Sequence, residues 1–271
     1  MNQITCVVPT LNSAKTLDMT LLSLHSQENV KVSVIAVDSG SNDGTLDICK
    51  RWGVKVLYEE PGNMYRAINK GLKEADTEWV SYINSDDWYY PDSLAKLINH
   101  GESTNSDLVY GKCDFTEYGG RFLYSFAPAK PENLPSLFRW GVLGFCQQSI
   151  VFRNTLYRSL RGFNDKEYRF SADREFFTRA FLSNAKFELM PDLTVACFRL
   201  HSNQLSSDKN LDLLNPEREK IKTQLIEKVS FYDNYIFVSW KFANLPHYIL
   251  RILRQSLLSR KLVLPTSMQT I

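Results

Sequence analysis

The sequence predicts an α/β fold with a mainly parallel, doubly wound sheet, helices on both faces and a helical C-terminal extension. Apolar, strand-like runs alternate with helical patterns through four strands within about ninety residues. Such alternation is typical of a parallel sheet. After Ser207 the pattern is mostly helical. We therefore expect an α/β domain over residues 1–207 and a helical extension over residues 208–271.

The first half of the chain contains the clearest elements. Short runs rich in β-branched residues predict strands over residues 4–8, 32–37, 54–58 and 79–83. Apolar residues three or four positions apart predict the helices between them, as in Leu17, Leu21 and Leu24. In the less regular second half we expect strands over 108–111, 121–126 and 149–152 and a helix over 173–184.

Composition excludes several classes of protein. A formal net charge of +2 argues against a dedicated nucleic-acid binder, which usually has a basic excess. The five cysteines are scattered and show no CxxC spacing, so we expect neither a disulfide framework nor a zinc site. A reducing compartment suits them better. The N-terminus has no signal-peptide pattern, so we expect a cytoplasmic protein.

Asp38 follows the second predicted strand and precedes a turn-rich segment that contains Gly40 and Gly44. In α/β sheets the C-terminal ends of the strands open onto the ligand crevice. A carboxylate there can accept a hydrogen bond from a base N–H or a ribose hydroxyl. Alternatively, it caps its own loop. Position alone leaves both interpretations open.

The segment Asn84-Ser85-Asp86-Asp87 ends the fourth predicted strand. Neighbouring carboxylates repel each other, and a bound cation would relieve that repulsion. Mg²⁺ prefers oxygen ligands and usually completes its shell with substrate phosphates. A solvated turn leading into the helix after Pro91 is the alternative.

Other polar residues carry little information by themselves. Asp173 stands where a helix begins, and the helix macrodipole favours an acidic residue there whatever its function. His201 lies in a polar loop and could equally be a surface histidine. Asn69 and Lys70 would fit the solvated face of a helix.

Five segments in order, over about residues 4–207, resemble the family 2 inverting glycosyltransferases with a GT-A fold, most closely the bacterial subgroup that builds polysaccharides. These segments are Val7-Val8-Pro9-Thr10-Leu11-Asn12, Val37-Asp38-Ser39-Gly40-Ser41-Asn42-Asp43-Gly44-Thr45, Ala67-Ile68-Asn69-Lys70-Gly71, Asn84-Ser85-Asp86 and Ser171-Ala172-Asp173. The third segment resembles the helix that lies by the diphosphate, and Asn84-Ser85-Asp86 stands where the family has its D-x-D motif.

The resemblance implies transfer of a sugar from a nucleotide diphosphate sugar, most often UDP-linked, to an acceptor hydroxyl. In this subgroup the acceptor is often a lipid-linked glycan used in cell-surface polysaccharide synthesis. The resemblance implies Asp173 as the general base and Mg²⁺ or Mn²⁺ on Asp86, with Asp87 and His201 as further candidate ligands. The implied nucleotide-binding residues are Pro9, Thr10, Asn12, Asp38, Asn69, Lys70 and Ser85.

Two residues depart from the family pattern. Asn84 replaces the first D-x-D aspartate, which shifts the metal to Asp86, and Arg66 stands where an acidic residue is common. These departures leave open a catalytically silent nucleotide- or sugar-binding protein of the same fold. A nucleotidyltransferase is disfavoured because the first strand is not followed by a glycine- and arginine-rich phosphate loop, and a dehydrogenase because GxGxxG is missing there.

The C-terminal extension predicts an amphipathic helix after Leu245. Its apolar face contains Ile249, Leu250, Ile252, Leu253 and Leu257, and Arg251, Arg254 and Lys261 lie off the centre of that face. A basic amphipathic helix can rest on an anionic membrane, here the inner face of the plasma membrane. Packing on the catalytic domain or on a second subunit is the alternative. The sequence leaves the donor sugar, the acceptor, the linkage and the oligomeric state open.

Overall fold

The computed structural model describes residues 1–201, 204, 211–225 and 229–259. A nine-stranded sheet runs through this part of the chain in the order β3-β2-β1-β4-β8-β6-β9-β5, with β7 paired to β6. The strands are β1 (Asn2–Thr10), β2 (Val30–Asp38), β3 (Lys55–Tyr58), β4 (Trp79–Tyr82), β5 (Trp88–Tyr89), β6 (Leu108–Glu117), β7 (Phe122–Phe126), β8 (Ile150–Arg153) and β9 (Phe187–Leu200). The described helices are α1 (Leu17–His25), α2 (Thr45–Arg51), α3 (Met64–Lys73), α4 (Ser93–Thr104), α5 (Leu134–Arg139), α6 (Asn154–Ser159), α7 (Ala172–Leu182), α8 (Leu211–Leu225) and α9 (Phe231–Ser259). The predicted α/β fold is confirmed.

The first four predicted strands form the parallel half of the sheet, in the order β3-β2-β1-β4. Their register places Thr10, the last residue of β1, opposite Asp38, the last residue of β2. The helix α3 packs closely on β1 because Gly71 has no side chain. A Cβ at this position would lie 2.6 Å from a methyl group of Val7. Gly71 in the family-like segment is therefore explained by helix–strand packing.

The other half of the sheet is mixed. β8 pairs antiparallel with β4 and β6, whereas β9 runs parallel to β6. The sequence pattern did not predict the 14-residue strand β9, which contains Pro191 and Asp192 in its exposed middle. Its pairing with β6 shifts register around Lys112, so part of the strand leaves the regular ladder. The alternation of apolar and polar residues that predicts a strand is therefore weak along β9.

The helix α9 packs on the α/β domain along one side. It begins with a capping box, in which Ser230 Oγ accepts from the Asp233 amide at 3.1 Å and Asp233 Oδ2 accepts from the Ser230 amide at 2.8 Å. Arg139 of α5 donates to Asp233 at 3.0 Å. Further along, Arg254 donates to the Leu123 carbonyl of β7 at 3.0 Å.

Two features of the tail bear on the membrane hypothesis. Arg251, like Arg254, contacts β7, with its guanidinium 5.8 Å from the Tyr124 ring centroid, so neither cation lies on the outer side of α9. Lys261 and the predicted domain boundary at residues 207/208 lie outside the described residues. Within the described ranges, no helix combines the length and the apolar character needed to cross a membrane.

Candidate active site

The carboxyl ends of β1, β2 and β4 meet at one edge of the sheet, where the strand order reverses between β1 and β4. A crevice outside such a reversal is the usual ligand site of an open α/β sheet. Pro9 and Thr10 end β1, Asp38 ends β2, and the segment from Asn84 follows β4. The sequence-predicted nucleotide and metal residues of these three strands therefore share one edge.

Asp38 is buried, and both of its carboxylate oxygens are already hydrogen-bonded. Oδ1 accepts from Thr10 Oγ1 at 3.0 Å and from Ser41 Oγ at 2.5 Å, while Oδ2 accepts from the Gly40 and Ser41 amides at 2.9 Å each. A carboxylate offers about four acceptor sites. Within the chain, the contacts of Asp38 are therefore those of the loop-capping alternative. A nucleotide base that binds here would have to share these oxygens.

The three loops at this edge are bonded to one another. Asn12 adopts a left-handed backbone conformation, with φ of 51°. Its amide donates to Ser41 Oγ at 2.8 Å, and its side-chain Oδ1 accepts from the Asn42 amide at 3.0 Å. Ser13 Oγ lies 2.7 Å from Ser85 Oγ, which joins the first loop to the segment after β4. The predicted residues Asn12 and Ser85 thus belong to a pre-formed crevice wall.

Asp86 and His201 come together across 115 residues of sequence. His201 follows the end of β9, and its Nε2 lies 2.5 Å from Asp86 Oδ2. Each side chain is 21 % exposed, so both remain accessible from the crevice. Among the described residues no group of three or more His, Cys, Asp or Glu side chains is placed to hold a metal. Asp86 and His201 could therefore contribute two ligands, with the remaining ones coming from substrate and water.

Asp87 points into the protein. Its Oδ1 accepts from the Arg199 amide at 2.9 Å, and its Oδ2 accepts from Gln148 Nε2 at 2.9 Å and from Asn84 Nδ2 at 3.4 Å. Burial, reinforced by the charge of Asp86, raises the pKa of Asp87 well above its usual value. Its contacts are those of a structural carboxyl group that ties the β4 loop to β9.

Asn69 faces inward from α3. Its Nδ2 donates to the Phe163 carbonyl at 2.8 Å and to Asp165 Oδ2 at 2.9 Å, and its Oδ1 accepts from the Phe163 amide at 3.0 Å and from Tyr157 Oη at 2.9 Å. The amide therefore anchors the loop between α6 and α7. Its hydrogen-bonding capacity is used by that loop.

Lys70, the neighbour of Asn69, is half-exposed and pairs with Glu59. The Lys70 Nζ lies 3.4 Å from Glu59 Oε2, and Arg66 Nε lies 3.3 Å from Oε1 of the same carboxylate. Glu59 directly follows β3, and its amide donates to the Asp38 carbonyl at 2.9 Å. Lys70 thus stands beside the strand ends, with its ammonium group held by a carboxylate.

Asp173 lies in the first turn of α7, as the sequence predicted. Burial raises the pKa of Asp173, and hydrogen bonds from the Tyr65 side chain and the Arg174 amide oppose this in part. Burial and the charge of Asp173 also raise the pKa of Tyr82, the last residue of β4, so Asp173 lies near the same sheet edge. A partly buried carboxylate with a raised pKa suits a general base.

The C-terminal extension helps to hold this carboxylate. Glu217 of α8 accepts hydrogen bonds from three consecutive amides just before α7, those of Arg169, Phe170 and Ser171, at 2.7, 2.9 and 2.8 Å. Asn63, at the start of α3, donates to two carbonyls of the same loop. The backbone that leads into Asp173 is therefore fixed from both sides.

Sequence reasoning missed Glu59, Glu217, Arg174 and Arg218. Glu59 had a signal, because it follows a predicted strand in the way that Asp38 does. Arg174 and Arg218 lie near Asp173 and each feels its charge, although they come from separate helices. No spacing in the sequence indicates that α8 folds back onto the start of α7.

Comparison with known proteins decides the family. Residues 5–160 match the sequence profile described as "Glycosyl transferase family 2". The chain belongs to this family. The fold and the site geometry agree with the assignment, since the matched region contains all three strand ends of the crevice.

Curated relatives extend the match of this family 2 chain. It is 28% identical over 201 residues to the poly(ribitol-phosphate) beta-N-acetylglucosaminyltransferase TarP of Staphylococcus aureus. The aligned region covers 69% of this chain and 59% of TarP. It is 30% identical over 200 residues to a PGL/p-HBAD biosynthesis glycosyltransferase of Mycobacterium bovis. That alignment covers 71% of this chain and 75% of the relative.

Solved structures support the GT-A fold of this family 2 chain. S. aureus TarS (residues 1–349), solved in complex with UDP-GlcNAc, matches 93% of this chain and 80% of its own at a TM-score of 0.66 and 18% identity. A mannosyltransferase from Pyrobaculum calidifontis, in complex with GDP-Man and Mn²⁺, matches 97% of this chain and 76% of its own at a TM-score of 0.61 and 18% identity. At these identities the likeness concerns the fold.

Proposed function

We propose that this protein is an inverting, metal-dependent glycosyltransferase that transfers a sugar from a UDP-linked donor to an acceptor hydroxyl. One observation carries the proposal: Asp38, the Asp86–His201 pair and Asp173 all lie at the edge of the sheet where β1, β2 and β4 end. That arrangement suits a nucleotide, its diphosphate and a base around one reacting carbon.

Asp86 and His201 are the proposed ligands of Mg²⁺ or Mn²⁺. The Asp86 carboxylate fits both divalent ions, which leave positions for phosphate oxygens and water, and the His201 imidazole is the less typical donor of the two. The bound ion would neutralise charge that develops on the leaving diphosphate. Asp87 is the weaker candidate because its oxygens accept hydrogen bonds from the Arg199 amide and Gln148.

Asp173 is the proposed general base. The acceptor hydroxyl loses a proton as its oxygen attacks the anomeric carbon, and the Asp173 carboxylate receives that proton. Inversion needs a single displacement, so no side chain has to form a covalent intermediate. Glu217 and Asn63 keep the preceding loop in place, which supports a fixed position of the carboxylate.

The nucleotide would lie along the crevice wall formed by Pro9, Thr10, Asn12, Asp38 and Ser85. Asp38 would share its oxygens with the base, while Lys70 and Arg66, both paired with Glu59, could turn toward the diphosphate. Asn69 contributes indirectly by holding the loop that precedes Asp173. TarS in complex with UDP-GlcNAc, which shares the fold, supports UDP as the carrier.

The acceptor is proposed to be a lipid-linked glycan in cell-surface polysaccharide synthesis, reached from the cytoplasmic face of the membrane. An exposed apolar stripe along α9 supports membrane contact. Its members are spaced seven or four residues apart and therefore share one face: Tyr235, Phe242, Ile249, Leu253 and Leu257. The stripe lies on the outer side of a helix whose Arg254 contacts β7. Membrane contact through α9 would depend on burial of this apolar stripe more than on Arg251 and Arg254, which contact β7.

A screen of nucleotide sugars tests this function. The purified protein is incubated with each donor and Mn²⁺, and release of the nucleotide diphosphate is measured with and without chelator. We expect metal-dependent hydrolysis of a UDP-sugar that is lost in Asp86→Ala. Binding of a nucleotide sugar without turnover under any condition would favour the catalytically silent binding protein instead.

A further inference from the structure

The last residues of three neighbouring parallel strands form a row at the crevice edge of the sheet. The strand register pairs Thr10 of β1 with Asp38 of β2, and Asp38 with Tyr58 of β3. Residues paired in this way across parallel strands project from the same face of a sheet, because side chains alternate along each strand. The Tyr58 side chain therefore lies next to Asp38 on the same face.

Tyr58 differs from the other two members of this row in its exposure. Thr10 and Asp38 are buried, whereas the Tyr58 side chain is 55 % exposed. Tyr58 ends β3, the strand at one edge of the sheet, and it takes no part in the hydrophobic core that the described residues form. An exposed aromatic ring beside a ligand crevice offers a large, rigid surface that a planar ligand can cover.

Two contacts hold the ring beside the Asp38 loop. The Tyr58 hydroxyl hydrogen-bonds to Glu60, which raises the pKa of Tyr58. The charge of Asp38 contributes to the same shift, so the hydroxyl lies within electrostatic reach of that carboxylate. On the other side, a Cβ at Gly40 would lie 4.0 Å from Tyr58 Cε2, and the Gly40 amide donates to Asp38 Oδ2. The ring thus stands against the loop that surrounds the carboxylate.

The Asp38 carboxylate can bind a nucleobase only by sharing its oxygens. Its four acceptor sites already receive hydrogen bonds from Thr10, from the Gly40 amide and from Ser41. A base gains less from such a carboxylate than from a free one and needs a second source of affinity. Base–aromatic stacking supplies it without any hydrogen-bonding group, because every base has a π-face.

We propose that the Tyr58 ring stacks on the nucleobase of the donor beside Asp38. The inference rests on the proposed function and adds a residue to its nucleotide site. Since stacking depends little on which base is present, Tyr58 contributes affinity for the nucleotide. The choice of uracil is then left to the hydrogen bonds around Asp38.

Calorimetric titration of the full chain with UDP and with dihydro-UDP, both in the presence of Mn²⁺, tests this contact. The dihydro base keeps the N–H and carbonyl groups of uracil but is not aromatic, so it can form the same hydrogen bonds and stacks poorly. We expect the unmodified protein to bind UDP more tightly than dihydro-UDP. Tyr58→Ala should weaken UDP binding about 5- to 100-fold and should remove the preference for UDP.

Two further variants serve as controls. Tyr58→Phe keeps the ring and loses only the hydroxyl, so it should retain most of the affinity for UDP and the preference over dihydro-UDP. Val56→Ala is the matched control, because Val56 lies two residues earlier on the same face of β3 and is 39 % exposed. It pairs with Ala36, away from the strand ends, so its substitution should leave UDP binding unchanged.

The comparison of the two ligands in the unmodified protein needs no variant, so it tests the contact even if Tyr58→Ala does not fold. Equal affinity for UDP and dihydro-UDP would overturn the inference, and so would unchanged UDP binding in Tyr58→Ala. A loss in Tyr58→Phe as large as in Tyr58→Ala would also overturn it, because the hydroxyl and not the ring would then contact the nucleotide. These outcomes leave the proposed function standing, since UDP still binds. Failure of the unmodified protein to bind UDP would overturn the proposed function, and the role of Tyr58 with it.

Discussion

The crevice at the strand ends and the cavity beneath the C-terminal helices differ in how their polar groups are satisfied. In the crevice, Asp38 accepts four hydrogen bonds from neighbouring loops, and Asn12 and Ser13 link those loops together. Around the cavity of about 490 Å³ beneath the C-terminal helices, Arg218, Trp140 and Trp240 each have a buried donor without a partner.

The difference concerns what each region needs in order to be stable. Hydrogen bonds hold the crevice loops in place before a ligand arrives, so binding costs little ordering. The second region leaves buried donors unpaired, which is unfavourable in the folded chain. We therefore expect substitutions in the first region to change the fold or the chemistry.

The largest effect is expected for Asp173→Asn. The amide keeps the shape of the side chain but cannot accept the proton, so turnover should fall by ~10²–10⁴. The affinity for the UDP-sugar, measured by calorimetry, should stay close to that of the unmodified protein. A variant that loses donor affinity and keeps its turnover would show that Asp173 belongs to the donor site.

Asp86→Ala should have the second-largest effect on turnover. Losing the charge that holds the metal removes several kcal/mol of transition-state stabilisation, or roughly a hundredfold or more in rate. Mn²⁺ should no longer strengthen UDP binding in this variant, and His201→Ala should show a weaker form of the same defect. Full activity of the unmodified protein in excess chelator would disprove the metal assignment.

Asn69→Ala tests whether the loop between α6 and α7 depends on the hydrogen bonds of the Asn69 side chain. The change leaves the buried Phe163 amide without its acceptor and the Phe163 carbonyl with the Asp165 amide as its remaining donor, so the free energy of unfolding should fall by about 1–3 kcal/mol. Lys70→Ala, at the next and half-exposed position, should stay within about 0.5 kcal/mol. Urea unfolding followed by circular dichroism measures both. Equal stability of the two variants would contradict the anchoring role.

Glu217→Gln probes the link between the two regions. The amide retains only one oxygen for the three backbone donors before α7, so the loop should loosen and kcat fall by roughly tenfold. The KM for the UDP-sugar should not change, because the crevice at the strand ends is intact. A change in KM with constant kcat would indicate that Glu217 acts on the donor.

The smallest effect concerns pH and Asp173. Burial raises the folded-state pKa of the Asp173 carboxyl above 3.8. Ionisation of Asp173 therefore costs stability as the pH rises from 3.8 through the folded-state pKa. Asp173→Asn should therefore raise the melting temperature at pH 7, and the gain should vanish below about pH 4, where the acid is protonated in both states. The acid limb of the kcat/KM profile should likewise lie above 3.8. A melting-temperature gain of equal size at low pH would point to a cause other than ionisation.

The sequence by itself determined the parallel half of the sheet. The strands β1 to β4 are short apolar runs separated by helical patterns, and their pairing follows from local periodicity and from the geometry of the connections. The same regularity placed Asp38 and Asp86 at one edge. The helix that carries Asp173 was also predicted, because its apolar face repeats at helical spacing.

Only the tertiary structure decided the direction and the partners of the polar side chains. Asp86 and Asp87 are neighbours in sequence, yet one meets His201 and the other is buried against Gln148 and the Arg199 amide. Asn69 lies on a helix that the sequence could have left solvated, but it anchors a loop 94 residues away. Such contacts depend on the packing of distant segments, which residue spacing does not encode.

The C-terminal helices show the same division. Their amphipathic character could be predicted from the sequence, whereas their docking could not. Trp240 is buried and Arg218 is half-buried because α9 packs on α5 and α8 packs on α7. Burial lowers the pKa of Arg218, and burial is a property of the assembled fold.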